Sequence, residues 1–199
     1  MYRPSGRSLV SGPSVEPISL AEAKLHLRED GGGQDDLIED VLIPAARRWV
    51  EDYTWRALIT QTWDFTFRRF PSGREIPVPL APLQSVTSVT YFDTDNASQT
   101  VSSSDYIVDT SEEPGSIHLL ETASWPSTYT RPSAVTVRAV VGFGAAGTAV
   151  PETYLQAMRL LLGTWYENRE SVLVGKVSRQ LEDALKSLIG QGSLRARVG

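Results

Sequence analysis

Val150 to Ser171, VPETYLQAMRLLLGTWYENRES, carries the strongest periodic signal in the chain. Pro151 suits a first-turn position, where its missing N–H has no helical partner to lose, and Glu152 follows near the positive end of the helix dipole. Tyr154, Leu155, Met158, Leu161, Leu162 and Trp165 then recur at spacings of three and four, which places them on one buried helix face. Burying six such side chains contributes roughly 1.5 to 3 kcal/mol each before conformational entropy is counted, so this helix is a core element. Ala157, Leu160, Gly163 and Thr164 form a second strip beside that face. Gly163 costs about 1 kcal/mol of helix propensity relative to alanine, so the strip should meet a close neighbour, either its own core or another subunit.

Upstream, residues 1–17 hold three prolines and no periodicity and read as a flexible N-terminal arm. Ser19 and Glu22 spell a capping box that opens a short helix with Leu20, Ala23, Lys24 and Leu27 on one face. Three glycines, Gly31 to Gly33, separate it from a longer helix with an acidic first turn and an expected buried stripe of Ile38, Leu42, Ala45, Trp49 and Tyr53. Pro44 interrupts this helix and should distort it near Asp40 and Val41.

After Trp55 the period changes from helical to alternating. Trp63, Phe65 and Phe67 alternate with Thr62, Asp64 and Thr66, as a half-buried strand requires. Further strands are expected at Ile76 to Leu80 (an edge, given its two prolines), Ser85 to Phe92, from Thr100, Tyr106 to Val108, Ile117 to Leu120 and Ala134 to Val141. No helical pattern separates them, so the sheet should be antiparallel. The expected architecture is α+β: a helical bundle-like part from residues 18–60 and 148–190, an inserted antiparallel β module over 61–147, and a basic flexible tail at 191–199.

Composition narrows the function. At 199 residues, 41% hydrophobic and 22% charged, the chain can bury a core. No apolar run is long enough to span a membrane, so none is expected as a partner. With no cysteine, thiolate chemistry and disulfides are excluded, and two histidines, His26 and His118, offer little for catalysis or metal binding. Gly142, Gly144 and Gly147 spell G-x-G-x-x-G, but Pro151 delays the helix and no strand with a terminal acid follows, so a dinucleotide site is rejected. Asp93, Asp95 and Asn96 lack the glycine and distal glutamate of a calcium loop and read as a hairpin turn. No catalytic, cofactor or metal site is expected. Charge is uneven: residues 75–130 hold eight acids and no Lys or Arg, for a net charge of −8, whereas residues 131–199 are basic. An acidic module of this kind offers no phosphate contacts.

The segments ISLAEAKLHLR, DDLIEDVLIPAARRWVEDYTWRALITQTW, IPVPLAPLQSVTSVTYFD, YIVD, AVTVRAVVGFG and VPETYLQAMRLLLGTWYENRES, in this order, resemble the head-tail connector (adaptor, or head completion) proteins of tailed bacteriophages and gene transfer agents. The resemblance runs from about residue 17 to 171 and departs at Pro44 and in the glycine- and arginine-rich tail. It implies a non-enzymatic virion protein, assembled in the host bacterial cytoplasm, that forms a ring under the portal. Such a ring extends the DNA channel without specific DNA binding and provides a docking surface for a neck or tail (stopper) protein. Ala157, Leu160, Gly163 and Thr164 are then candidate subunit contacts. Lys176, Arg179, Leu181, Leu185, Lys186, Leu188, Arg195 and Arg197 become candidates for portal docking, on a C-terminal segment expected to stay mobile until it finds its partner. The competing reading is a carbohydrate- or receptor-binding module with Trp125 or Tyr129 as an exposed platform; a small hydrolase would need a reactive constellation that the sequence lacks.

Overall fold

The computed structural model describes residues 2–168 and 179–190. The chain divides into two compact units, Met1–Pro13 with Thr60–Phe143, and Ser14–Ile59 with Gly144–Gly199. The fold is α+β, with its strands in the first unit and its helices in the second.

In the first unit, strands β1 (Gly6–Ser11), β2 (Gln61–Phe67), β4 (Leu83–Phe92), β5 (Ser98–Thr100) and β8 (Val135–Val141) form a five-stranded sheet in the order β1-β2-β8-β4-β5. A second sheet, β3-β7-β6, is built from β3 (Glu75–Pro77), β6 (Tyr106–Asp109) and β7 (Ser116–Leu119). Every pairing between these strands is antiparallel, although one sheet was the simplest expectation and two are found. Pro77 sits in the outer strand β3, where its missing N–H breaks no ladder. Alternation on β2 places Phe65 and Phe67 in the core with Val137 and Val89, while Trp63 stays half-buried beneath the Arg7 guanidinium. Asp64 and Arg138 face each other in the β2–β8 register and join through two 2.8 Å hydrogen bonds. The second sheet meets β4 at Gly115, where a Cβ would lie 2.6 Å from Leu83 and 2.9 Å from the Asp109 carbonyl, so only glycine permits the approach.

Residues 1–17, expected as a flexible arm, are divided between the units: β1 pairs with β2 from Gly6↔Thr66 to Ser11↔Thr62. All six β1 residues are exposed, so no hydrophobic alternation marks this edge strand, which is held by backbone pairing with β2 and by Arg7 over Trp63.

In the helical unit, α1 (Leu20–Leu27) carries the complete capping box: Glu22 N–H donates to Ser19 Oγ and Ser19 N–H to Glu22 Oε2. Pro44 acts as expected, but through a π-helical turn at Leu37–Leu42 leading into α2 (Ile43–Thr54). Lacking its own N–H, Pro44 cannot bond the Asp40 carbonyl. The Ile43 N–H instead reaches back five residues to the Ile38 carbonyl, which inserts one residue and rotates the helix. The stripe is therefore displaced by one position: after Leu42 the buried residues are Ile43, Ala46, Val50 and Thr54, and Trp49 and Tyr53 stack on each other at its margin. Arg47, 7% exposed, donates to Glu16 (2.8 and 3.1 Å) and Glu51 (2.9 Å), and Glu51 also accepts the Leu58 N–H. Burial opposes the Arg47 charge, but the two carboxylates outweigh it and hold the guanidinium ionised.

Helix α3 (Glu152–Glu167) follows Pro151 and buries every residue of its predicted stripe, with Ala157, Met158, Leu161 and Leu162 wholly inaccessible. It packs against α1, the π-turn, α2 and α4 (Arg179–Ile189).

Arg47→Ala leaves two carboxylates without their buried cation and should cost about 3 kcal/mol in denaturant unfolding, well above the cost of Arg138→Ala in its exposed pair. Ser19→Ala should cost about 1 kcal/mol. The Ser19 hydroxyl and backbone hold the Glu22 carboxyl below the usual carboxylate range. Its contribution is present at neutral pH and lost as pH falls through that lowered value. Glu22→Gln should thus destabilise at pH 7, with the deficit shrinking in acid; a deficit that persists at low pH contradicts this.

Candidate assembly surfaces

The small-residue strip of α3 lies partly against its own chain. Ala157 is fully buried, Leu160, Gly163 and Thr164 are half-buried, and a Cβ on Gly163 would stand 3.8 Å from His26 Nε2 of α1. Thr164 Oγ1 donates back to the Leu160 carbonyl at 3.0 Å. A side chain at Gly163 would thus meet α1 at ordinary contact distance, and the buried Ala157 leaves the set of residues that another subunit can touch. Helix α1 turns a different apolar residue outward: Leu25 is 82% exposed. Leu25 falls outside the Leu20, Ala23, Lys24 and Leu27 face, so it can be recognised only as an apolar residue out of phase.

The candidate portal-docking residues also separate. Lys176, Arg195 and Arg197 lie outside the described residues, as does the side chain of Arg179. Leu185 and Ile189 are buried, Leu181 and Leu188 half-buried, and Lys186 pairs with Glu182 at 2.8 Å. This corrects the expectation that the segment cannot join a core: α4 is amphipathic, and its Leu185–Ile189 edge packs within the helical unit. Leu185 is consequently not a docking residue.

The rejected motifs have plain structural roles. A Cβ on Gly144 would lie 2.5 Å from that of Ala149, and one on Gly147 would lie 2.1 Å from the Pro17 carbonyl oxygen, so these glycines permit close packing. Asp93 accepts the N–H groups of Asp95 and Ala97 and the Gln99 amide, closing the hairpin turn. His118 hydrogen-bonds Ser116 at 2.8 Å. Among the described residues no cluster of His, Asp and Glu is arranged to hold a metal. Trp125 stacks on Phe70 at 4.8 Å and donates its Nε1–H to the Gly73 carbonyl, so one face of the proposed sugar platform is already covered; Tyr129 is 45% exposed.

The β unit is less acidic than its central segment. Arg3, Arg7, Arg68, Arg69, Arg74, Arg131 and Arg138 flank the acidic run in sequence but belong to the same unit, giving seven cations against nine acids. Arg68, Arg69, Tyr129 and Arg131 line an open groove of about 760 Å³. Its walls are anchored: the Tyr2 ring stacks on Phe67 and its hydroxyl donates to the Arg69 carbonyl, while the Tyr129 N–H donates to the Phe92 carbonyl at 2.9 Å. Arg131 lies 3.9 Å above the Phe92 ring and donates to Asn96. The long acidic run between Arg74 and Arg131 hides this cluster from a reading in chain order.

No protein-family model and no curated protein matches the chain. Solved structures do. A chain in the neck of an empty gene transfer agent particle, computed with C6 symmetry, superposes with a TM-score of 0.75 at 24% identity, over 94% of this chain and 95% of that one. A chain in the neck of a native particle, computed with C12 symmetry, gives 0.68 at 22% identity over 94% of both. A chain in the virion of a native particle gives 0.66 at 24% identity, over 81% of this chain and 84% of that one. The α+β fold of this protein is one found in gene transfer agent necks.

Proposed function

We propose that this protein is a structural component of a virion neck, a head-tail connector that assembles as a ring under the portal of a phage or gene transfer agent particle. The observation that carries this reading is the end-to-end fold correspondence with a neck chain, 94% of this chain on 95% of the other. Necks computed with C6 and C12 symmetry support a ring of copies. A closed ring needs a heterologous contact between two different surfaces of each subunit.

In this reading the ring extends the DNA channel and offers its outer end to a neck or tail protein, and assembly takes place in the host bacterium. DNA passes without specific binding, as suits a β unit in which acids outnumber arginines. The protein acts by shape and attachment rather than catalysis. Portal docking falls to the exposed side of α4 and to the basic residues Arg195 and Arg197 beyond it, Leu185 being committed to the core.

Deleting the gene should yield DNA-filled heads without tails, and restoring it in trans should recover tailed particles; normal particles from the deletion strain contradict the proposal. Truncation after Gly190 should leave a folded protein that no longer attaches to heads. Truncation after Ser171 removes Leu185 and Ile189 as well, and should lower the unfolding midpoint through loss of core contacts.

A further inference from the structure

The groove at the end of the β unit presents positive charge that its own chain does not neutralise. Arg68 and Arg69 are exposed and enter none of the ion pairs among the described residues. The nearby Asp93 is occupied within its hairpin turn. At the other end of the same unit, the β6–β7 turn carries Glu112 and Glu113 into solvent. That turn is held in shape by Asp109, which accepts the Ser111 N–H at 2.8 Å and the Ser111 hydroxyl at 2.6 Å.

The separation of the two patches follows from β4. Gly115, next to the acidic turn, packs on Leu83, the first residue of β4, whereas Tyr129 in the groove bonds Phe92, the last. Ten residues of strand at about 3.3 Å each put the patches about 30 Å apart, too far for the turn to reach its own groove. Opposite charges at opposite ends of one compact unit supply the two different, complementary surfaces that a head-to-tail contact between identical subunits needs.

We infer that the Arg68–Arg69–Arg131 groove receives the Glu112–Glu113 turn of the next copy of this chain, so that each subunit gives one acidic turn and accepts another. The inference rests on the ring reading above and adds the contact that sets the order of subunits. Exposed charge pairs contribute little binding energy each, so this contact supplies steering and register while apolar surface supplies most of the affinity. Guanidinium groups suit the role, since each can take a carboxylate through two parallel hydrogen bonds. Nucleic acid is the competing occupant, because arginines beside an exposed tyrosine can also hold phosphates and a base. The neighbouring acids and the fixed, complementary turn on the same unit favour a second copy.

The natural chain contains no cysteine, so an introduced pair reports without background. Full-length Arg69→Cys/Glu112→Cys protein, incorporated into particles and mildly oxidised, should run as a ladder of disulfide-linked multimers that collapses to monomer on reduction. A second experiment uses charge reversal at these exposed sites. Arg68→Glu/Arg69→Glu and Glu112→Arg/Glu113→Arg should each fold, as judged by unchanged circular dichroism, and each fail to complete rings. Mixed together, they should recover rings, since every contact in an alternating ring is again complementary. Complete rings that stay monomeric on oxidised gels would overturn this contact while leaving the connector reading intact; absence of the wild-type chain from particles would overturn both. If the Arg68→Glu/Arg69→Glu variant instead builds complete rings but releases DNA, the groove holds phosphates and not a neighbour.

Discussion

Burial of one wide face of α3 is the constraint from which the helical unit follows. Ala157, Met158, Leu161 and Leu162 are wholly inaccessible, and covering that face takes more than one neighbour. Its neighbours α1, the π-turn, α2 and α4 come from both ends of the chain, so they are brought together only when the chain returns after the β insertion. This long sequence separation also explains Arg47. By tying Glu16 to Glu51, and through Glu51 the Leu58 N–H, it fixes the place where the chain enters the helices and the place where it leaves them.

Much of this was legible in the residues, and the failures are physically specific. The capping box at Ser19, the stripe of α3 and the alternation of β2 depend on local periodicity and appear where expected. The stripe of α2 was displaced by one residue because Pro44 is accommodated by a π-turn, and a pattern with a fixed period cannot anticipate an inserted residue. Strand β1 escaped notice because an edge strand exposed on both faces has no side-chain pattern to read. The packing of α4 was misjudged from its charge: glycines and basic residues suggested a segment mobile until it docks, while Leu185 and Ile189, one helical turn apart, already marked a buried edge.

The surfaces were harder to see than the core, for a related reason. Burial leaves a periodic trace in the chain, whereas a charged patch is assembled from residues whose order carries no signal. The run from Glu75 to Glu121 is acidic in sequence, yet the fold sets arginines from before and after it into the same unit. The small strip on α3 shows the converse error: small residues suggested a close approach, whereas a Cβ on Gly163 would meet its neighbour only at ordinary contact distance. Here Gly163 faces His26 of the same chain, which shifts attention to exposed features such as Leu25 and the arginine groove.

The central claim, that this chain is a ring subunit of a neck, is tested most directly by counting. Quantitative mass spectrometry of purified particles, calibrated with isotope-labelled standards for this chain and for the portal protein, gives the number of copies of each. The account predicts a fixed, whole-ring number of copies in every preparation, independent of whether the particles hold DNA. Absence from the particles, or a variable number well below one ring, would contradict it.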